Sequence, residues 1–350
     1  MTPLRLALVA PVATSVPPAR SGSIETMTAL LADGLVARGH QVTLFAVGTS
    51  TTAAALHALF PIGYRDGATE WPWELCELLN LSAAMARAGE FDVVHCQSEA
   101  YPMSLAFDRL VATPVLHTLH YAPAPEELAL WARCPEAPFV ALSAYQAARM
   151  AGVNVVAVVP HGLDLPRFPF RAAPDDYLLF LGRFTEGKGV VPAIEAARRA
   201  GLRITLAAEE NAYYRERVAP LVDGRQVEYV GEVGPAAKAA LLGGARALLY
   251  PVSDPEPFGL VLAEAMGCGT PVAALDAGAV AELVVDGVTG GVFATLDQLV
   301  DGLPRVLALD RARIRAEAER RFDLSRMIAR YEDVYRQLAG ARAGATERRP

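Results

Sequence analysis

The sequence has 350 residues, 53% of them hydrophobic, which is enough for two α/β domains with separate cores. The net charge is −7, and residues 1–168 contain nine arginines, no lysine and fourteen acidic residues, a balance that argues against nucleic acid as a partner. No apolar run reaches about 18 residues, so we expect no membrane-spanning helix. The four cysteines have no paired spacing, which argues against disulfides and favours a reducing cytoplasm.

The first half alternates short apolar runs with helical patterns, which is typical of parallel sheets covered by helices on both faces. The spacing predicts a helix over residues 24–38, because Met27, Leu31 and Leu35 form one apolar stripe that Gly39 closes. Strands are predicted at 4–10, 41–46, 93–96, 114–118, 138–142 and 155–159.

The same pattern begins again after residues 168–176, which we interpret as a linker. Strands are predicted at 177–181, 204–208, 227–229, 247–250 and 271–274, and the segment 312–338 is strongly helical in pattern. We therefore expect one domain at 1–170 and a second at 171–325. A terminal helix at 326–350 should pack back toward the N-terminal domain and end in a frayed tail.

Two acids, Glu256 and Glu264, flank the start of a predicted buried helix. Pro255 and Pro257 favour an extended loop around Glu256, and the apolar run around Glu264 makes that acid costly to bury without a partner. A ligand hydroxyl would serve as the partner, while amides at residues 258–260 would face an anion at the helix start. In the alternative interpretation, a core arginine pairs with Glu264 and Glu256 is simply solvated.

Residues 182–189 follow a predicted strand, open a helix and match the phosphate-loop pattern G-x-x-x-x-G-K. Gly189, however, stands where a P-loop nucleotidase has the hydroxyl that binds magnesium. We therefore expect Arg183 and Lys188 to hold a diphosphate through charge-assisted hydrogen bonds. The alternative is a solvated turn that happens to carry two basic residues.

Three histidines at the ends of two predicted strands, His95, His117 and His120, raise the question of a metal site. Their spacing lacks the helical i, i+4 geometry of zinc proteases, and no acid completes a ligand set, so no metal is expected. We expect His117 in the core and His120 as the functional candidate. His161, in a turn beside glycine, is expected to be structural.

These segments together resemble the retaining, nucleotide-sugar-dependent glycosyltransferases of family GT4. The resemblance covers nearly the whole chain and rests most clearly on Gly22-Ser23-Ile24-Glu25, His117-Thr118-Leu119-His120, His161-Gly162-Leu163-Asp164, Gly182-Arg183, Lys188-Gly189, Glu256 with Glu264, and Gly269-Thr270-Pro271-Val272. It implies an α/β protein of GT-B fold, with two Rossmann-like, doubly wound domains facing each other across a cleft. The first would bind the acceptor and the second the donor.

The resemblance also implies catalytic roles for four residues. Arg183 and Lys188 would hold the donor diphosphate and neutralise the leaving group. Glu256 would bind sugar hydroxyls, and His120 would contact the transferred sugar from the first domain.

Donor binding is implied for a further set of residues, of which Glu264 would accept hydrogen bonds from the ribose. The set is Gly22, Ser23, Gly182, Phe258, Gly259, Leu260 and Glu264. Two departures from the family pattern matter. Ser23 replaces the second of two adjacent glycines, and residues 278–282 replace a Gly-Gly-x-Pro-Glu segment, which makes Glu282 a less secure site residue.

The expected reaction moves a hexosyl unit from a UDP-, GDP- or ADP-sugar to a hydroxyl acceptor by front-face transfer with retention. The absence of an Asp-x-Asp motif argues against an obligatory metal, and no other cofactor is expected. Small-molecule, saccharide and lipid-linked acceptors all stay open, with a soluble one favoured because the first half lacks a basic amphipathic face. The alternatives are a GT-B-like epimerase or sugar phosphorylase, and a P-loop nucleotide-binding module.

Overall fold

The computed structural model describes residues 2–67, 72–98 and 102–346, with side chains up to residue 341. The chain divides into two compact units. Unit 1 comprises the residues up to Gly162 together with the C-terminal segment from Leu324, and unit 2 comprises Leu163–Asp323. Unit 1 is therefore discontinuous in sequence, whereas unit 2 is one continuous segment.

The described part of unit 1 is built on a seven-stranded parallel sheet in the order β3-β2-β1-β4-β5-β6-β7. Leu6, in an interior strand, pairs with Val42 on one side and Val93 on the other. Apolar side chains are buried on both faces, as parallel strands require. The strands are β1 (Arg5–Val9), β2 (Gln41–Phe45), β3 (Ala55–His57), β4 (Val93–Ser98), β5 (Val115–Leu119), β6 (Phe139–Ala141) and β7 (Val155–Val158), and the helices are α1 (Ser23–Ala37), α2 (Trp73–Ala86), α3 (Pro125–Trp131) and α4 (Ala144–Arg149).

Unit 2 contains a six-stranded parallel sheet in the order β10-β9-β8-β11-β12-β13. The central strand β8 pairs with β9 and β11, so the loop that follows β8 lies at the middle of the carboxyl edge of the sheet. The strands are β8 (Leu178–Leu181), β9 (Ile204–Ala207), β10 (Val227–Tyr229), β11 (Ala247–Tyr250), β12 (Val272–Leu275) and β13 (Gly290–Phe293), and the helices are α5 (Val190–Arg199), α6 (Pro235–Gly244), α7 (Leu260–Gly267), α8 (Val280–Leu283), α9 (Leu296–Leu307) and α10 (Arg311–Phe322).

Two strands lack the pattern on which the sequence predictions relied. Edge strand β3 is exposed at Ala55 and Leu56, so it has no buried apolar run to reveal it. Strand β13 begins Gly290-Gly291, residues that disfavour strands in isolation. A Cβ at Gly290 would collide with the backbone oxygen of Val272 on the neighbouring strand, so close packing requires glycine there.

The segment 168–176, which the sequence pattern predicts as a linker, is packed into unit 2. Phe168 is buried, and the Arg171 amide donates to the Cys268 carbonyl at 3.3 Å. The units divide instead at Gly162 and Leu163, before the predicted boundary at 170.

The helical segment predicted over 312–338 contains two helices. Asp323 has an extended backbone that ends α10, and α11 (Leu324–Thr346) then belongs to unit 1. There α11 lies against α1 so closely that a Cβ at Gly34 would collide with the Ile328 side chain. The final residues 347–350 of the expected frayed tail lie outside the described part of the chain.

Gly34→Ala should destabilise unit 1 by about 1–3 kcal/mol, because the added methyl overpacks the contact with Ile328. Gly340→Ala is the matched control, since this exposed glycine in α11 has no neighbouring atom within 4 Å of an added Cβ. The control should gain up to about 1 kcal/mol from helix propensity. Urea unfolding measures the stability of both variants, and an equal gain in stability for the two would contradict the close approach of α1 and α11.

Candidate active site

The loop before α7 holds Glu256 in the place that the two flanking prolines predicted. Helix α7 begins at Leu260, after Gly259 in the left-handed conformation with φ of 88°, which glycine adopts at little cost. A second segment supports the loop, because the Ala279 amide donates to the Glu256 carbonyl at 3.0 Å. Gly278 permits this contact, since a Cβ there would collide with the Glu256 backbone.

The loop at 182–189 connects β8 to α5 and packs against the backbone that follows β11. The Ser253 amide donates to the Gly187 carbonyl at 2.9 Å, and a Cβ at Gly187 would collide with the Asp254 carboxylate. Gly189 has φ of 77°, and a Cβ there would collide with the Pro251 carbonyl. The same collision would exclude the serine or threonine that a P-loop nucleotidase has at this position.

The close packing of these two loops brings Lys188 against Glu256, and the Lys188 ammonium pairs with Glu256 Oε1. Burial lowers the pKa of Lys188 to about 8, with a smaller contribution from the positive charge of Arg183 and an opposing one from Asp254. Arg183 is exposed, and no carboxylate among the described residues forms an ion pair with it. Two cationic side chains, Lys188 and Arg183, and two carboxylates, Glu256 and Asp254, thus lie together at the carboxyl edge of the sheet.

Glu264, in the middle of α7, is only 4% exposed and pairs with a lysine rather than the core arginine of the alternative interpretation. Lys238 Nζ, on α6, lies 2.5 Å from Glu264 Oε1. Burial raises the pKa of Glu264, while the Lys238 charge and hydrogen bond oppose that rise. Sequence reasoning missed Lys238.

In unit 1, Gly22 precedes α1 and Ser23 is its first residue. The Gly22 carbonyl accepts from the Thr26 hydroxyl at 2.6 Å. A Cβ at Gly22 would lie 2.8 Å from Glu25 Oε2 and from Pro18 Cγ, so no larger residue fits there. Ser23 is exposed and is available to a ligand.

His120 follows β5 and is partly exposed. Its Nε2 lies 2.7 Å from Gln97 Oε1, and its ring stacks on His161 with centroids 5.4 Å apart. Burial, followed by the neighbouring His161 and His95, lowers the pKa of His120 well below its usual value. The neutral ring donates to Gln97 through Nε2 and leaves Nδ1 as an acceptor. The structure thus places His161, expected to be only structural, beside the functional candidate.

His95 and His117, the other two histidines considered for a metal site, are fully buried and hydrogen-bonded. His95 contacts the Tyr335 hydroxyl at 2.7 Å and the Thr118 hydroxyl at 2.8 Å, and the Ser104 hydroxyl lies 2.7 Å from His117 Nδ1. These contacts account for both rings as parts of the core. Over residues 2–67, 72–98 and 102–346, no three His, Cys, Asp or Glu side chains are grouped so as to hold a metal ion.

Comparison with known proteins places this geometry in a family. The model for Glycosyltransferase Family 4 matches residues 24–167, and the model for glycosyl transferases group 1 matches residues 166–321. The phosphatidyl-myo-inositol mannosyltransferase of Mycobacterium tuberculosis is 27% identical over 97% of this chain and 98% of its own length.

Solved structures agree on the fold. AviGT4, a glycosyltransferase involved in avilamycin A biosynthesis, has 27% identity and a TM-score of 0.74, covering 97% of this chain and 99% of its own. Anabaena HepE in complex with UDP and glucose has 17% identity and a TM-score of 0.72, covering 95% and 99%.

The two Rossmann-like parallel-sheet units and these matches define a glycosyltransferase of the GT-B type. More specifically, the chain belongs to glycosyltransferase family GT4. Within the described ranges, no helix is both long enough and apolar enough to cross a bilayer.

Gly189→Ala should disrupt the contact between the two loops of unit 2, with a loss of about 1–3 kcal/mol from overpacking in addition to about 1–2 kcal/mol of backbone strain. Gly201→Ala is the matched control, because this residue also has positive φ, 66°, but no neighbour within 4 Å of an added Cβ. The control should lose only the part of the stability that comes from backbone strain. Urea unfolding of both variants tests the difference, and equal losses would show that the loops do not pack this closely.

Proposed function

We propose that this enzyme transfers a hexosyl unit from a nucleoside-diphosphate sugar to a hydroxyl acceptor with retention of anomeric configuration and without a metal ion. The observation that carries the proposal is the ion pair of Lys188 with Glu256, beside exposed Arg183, at the carboxyl edge of the unit 2 sheet. Ligands bind at this edge in open α/β sheets. The arrangement offers both cations for a diphosphate and a carboxylate for sugar hydroxyls.

The diphosphate would take the place of Glu256 as a partner of Lys188, with Arg183 as the second cation. Charge-assisted hydrogen bonds of this kind contribute about 1.5–3 kcal/mol each. Because negative charge grows on the leaving phosphate as its bond to the sugar breaks, both cations stabilise the transition state more than the ground state. They supply the positive charge that a metal would otherwise provide.

Glu256, once released from Lys188, would accept hydrogen bonds from the sugar hydroxyls, and the first amides of α7 would face the sugar and phosphate. The bond from the anomeric carbon to the phosphate oxygen breaks as the acceptor oxygen approaches the same face. The departing phosphate oxygen takes the acceptor proton. This route needs no protein nucleophile, in contrast to retaining glycosidases.

In unit 1, His120 Nδ1 would accept a hydrogen bond from the transferred sugar, and Gly22 with Ser23 would border the phosphate and acceptor. The mycobacterial relative acts on phosphatidyl-myo-inositol by its name. Residues 1–168 of this chain, with nine arginines, no lysine and fourteen acids, favour a soluble saccharide or small-molecule acceptor over a lipid on an anionic membrane. We place the enzyme in the cytoplasm.

The sequence offers six aromatic residues in the first half for stacking on a sugar acceptor: Tyr64, Trp71, Trp73, Tyr101, Tyr121 and Trp131. Trp131 is buried against Phe139, and the Tyr121 hydroxyl donates to Glu127 at 2.7 Å. Trp71 and Tyr101 lie outside the described residues. Tyr64 and Trp73 are partly exposed and stay acceptor candidates.

A screen of UDP-, GDP- and ADP-sugars for thermal stabilisation should identify the donor, and product analysis with saccharide acceptors should then show transfer with release of nucleoside diphosphate. NMR should show a retained anomeric configuration in the product. Activity should persist in EDTA. Inverted product would overturn front-face transfer, and epimerised sugar or sugar phosphate without transfer would favour the epimerase or phosphorylase.

Lys188→Ala and Glu256→Ala should each lower kcat/KM by about 10²-fold or more, because each removes a group that acts on the donor. Arg203→Ala is the control, since this residue belongs to an exposed ion pair with Glu228 and should retain activity. All three variants should remain folded, with the smallest change in thermal unfolding for Arg203→Ala, because each site variant leaves a partly buried charge without its partner. Wild-type turnover in either site variant would contradict the assignment.

Donor affinity should fall about tenfold between pH 7 and pH 9, because free Lys188 loses its proton near pH 8 and only the ammonium pairs with the diphosphate. Binding therefore takes up a proton in this range. Lys188→Arg, whose guanidinium stays charged, should show a much flatter profile. Calorimetry with the identified sugar nucleotide measures this, and parallel profiles for both proteins would contradict it.

A further inference from the structure

Lysine is rare in this chain, and its distribution is informative. Of the 32 basic residues only two, Lys188 and Lys238, are lysines, and all others are arginines. Each lysine is paired with one of two acids near α7. Lys188 pairs with Glu256, which precedes the helix, and Lys238 pairs with Glu264, which lies in its middle. Ion pairs elsewhere in the described residues use arginine or histidine, so lysine is confined to the site.

Lysine and arginine act differently on a ligand. The guanidinium is a planar fork suited to two-point pairing with one carboxylate, whereas the ammonium is a compact charge with three donors that can be shared among partners. A purely structural counter-charge for Glu264 could be an arginine, as at Arg38, which pairs with the buried Glu332. The use of lysine beside both acids indicates sharing with a ligand.

The position of Lys238 fits such sharing. Glu264 is 4% exposed, whereas the Lys238 side chain is 26% exposed, so the ammonium lies between the carboxylate and solvent. The ring of Phe168, 5.9 Å from Nζ, provides a favourable cation–π contact on another side. With one N–H directed to Glu264, the ammonium keeps two further donors.

We propose that Lys238 is a third donor-contacting cation, which binds the nucleoside end of the sugar nucleotide together with Glu264. This inference rests on the proposed function, in which Glu264 accepts from the ribose. An ionised carboxylate can only accept hydrogen bonds, and a hydroxyl that donates to it still has lone pairs to satisfy. Lys238 donates to those lone pairs, so the pair recognises each ribose hydroxyl both as donor and as acceptor.

The two lysines then divide the ligand between them. Lys188 and Arg183 contact the diphosphate, and Lys238 and Glu264 contact the nucleoside. A ligand that has only the diphosphate should therefore engage Lys188 alone. This separation distinguishes the proposal from a purely structural role for Lys238.

Amine acetylation of the wild-type enzyme tests the division, with sulfo-N-hydroxysuccinimide acetate as reagent and mass spectrometry as readout. Saturating UDP, GDP or ADP, whichever binds, should slow acetylation of both lysines at least tenfold. Inorganic pyrophosphate should slow acetylation of Lys188 only. The α-amino group is the internal reference and should react at an unchanged rate.

Each of the other outcomes overturns either this inference or the proposed function. Protection of Lys188 but not Lys238 by nucleoside diphosphate overturns this inference and leaves the proposed function standing. Protection of both by pyrophosphate overturns the assignment of Lys238 to the nucleoside end. Protection of neither by any nucleoside diphosphate overturns the proposed function itself.

Lys238→Met gives a second measurement that does not depend on amine reactivity. The variant should bind the nucleoside diphosphate at least tenfold more weakly than wild type while its affinity for pyrophosphate is unchanged. Equal loss of both affinities, or loss of neither, would identify Lys238 as a structural counter-charge. If the uncompensated Glu264 prevents this variant from folding, the acetylation pattern of the wild-type enzyme decides the question.

Discussion

The donor-side geometry depends on the close approach of two backbone segments in unit 2, the loop after β8 and the loop after β11. A Cβ at Gly187 would collide with the Asp254 carboxylate and one at Gly189 with the Pro251 carbonyl, so only glycine at both positions lets the two loops approach so closely. The Ser253 amide fixes their spacing by its hydrogen bond to Gly187. Because Lys188 lies between the two glycines, the same approach that excludes a Cβ directs its side chain to Glu256.

A consequence of this packing is that the site neutralises its own charges. Partly buried Lys188 and nearly buried Glu264 would each be costly to desolvate alone. Pairing Lys188 with Glu256 and Lys238 with Glu264 reduces that cost while keeping charged groups at the sheet edge. In the proposed function, a ligand that carries both negative charge and hydroxyls would exchange with these internal partners, so that it would replace existing contacts and would not have to meet unpaired charges.

Most of the fold follows from the sequence because parallel strands are continuous apolar runs. The pattern fails where other constraints replace apolar burial: at the exposed edge strand β3, and at Gly290, where contact with Val272 decides the residue. The apolar periodicity continues through Asp323 and does not mark the break there, although the expected terminal helix begins close by, at residue 326. Secondary structure could thus be predicted where burial alone determines it.

The candidate site, like the fold, could be predicted from the sequence only in part. Arg183, Lys188, Glu256 and Glu264 carry sequence signals of their own, but their pairing depends on backbone contacts between segments distant in sequence. Lys238 lies on an otherwise unremarkable helix, so no local motif marks it. The composition contained one signal for Lys238: the chain has only two lysines, and the other one, Lys188, was already a predicted site residue. His161 likewise becomes visible only through its stacking on His120.

The discontinuity of unit 1 bears on the order in which the protein can fold during synthesis. All of unit 2 leaves the ribosome before α11 does. Until then His95 and Thr118 lack Tyr335 and Tyr331, the hydroxyls that they contact in the finished structure. The nascent N-terminal sheet therefore lacks these two hydrogen-bond partners until unit 2 has been synthesised, and a helix translated after unit 2 completes a sheet that was begun before it.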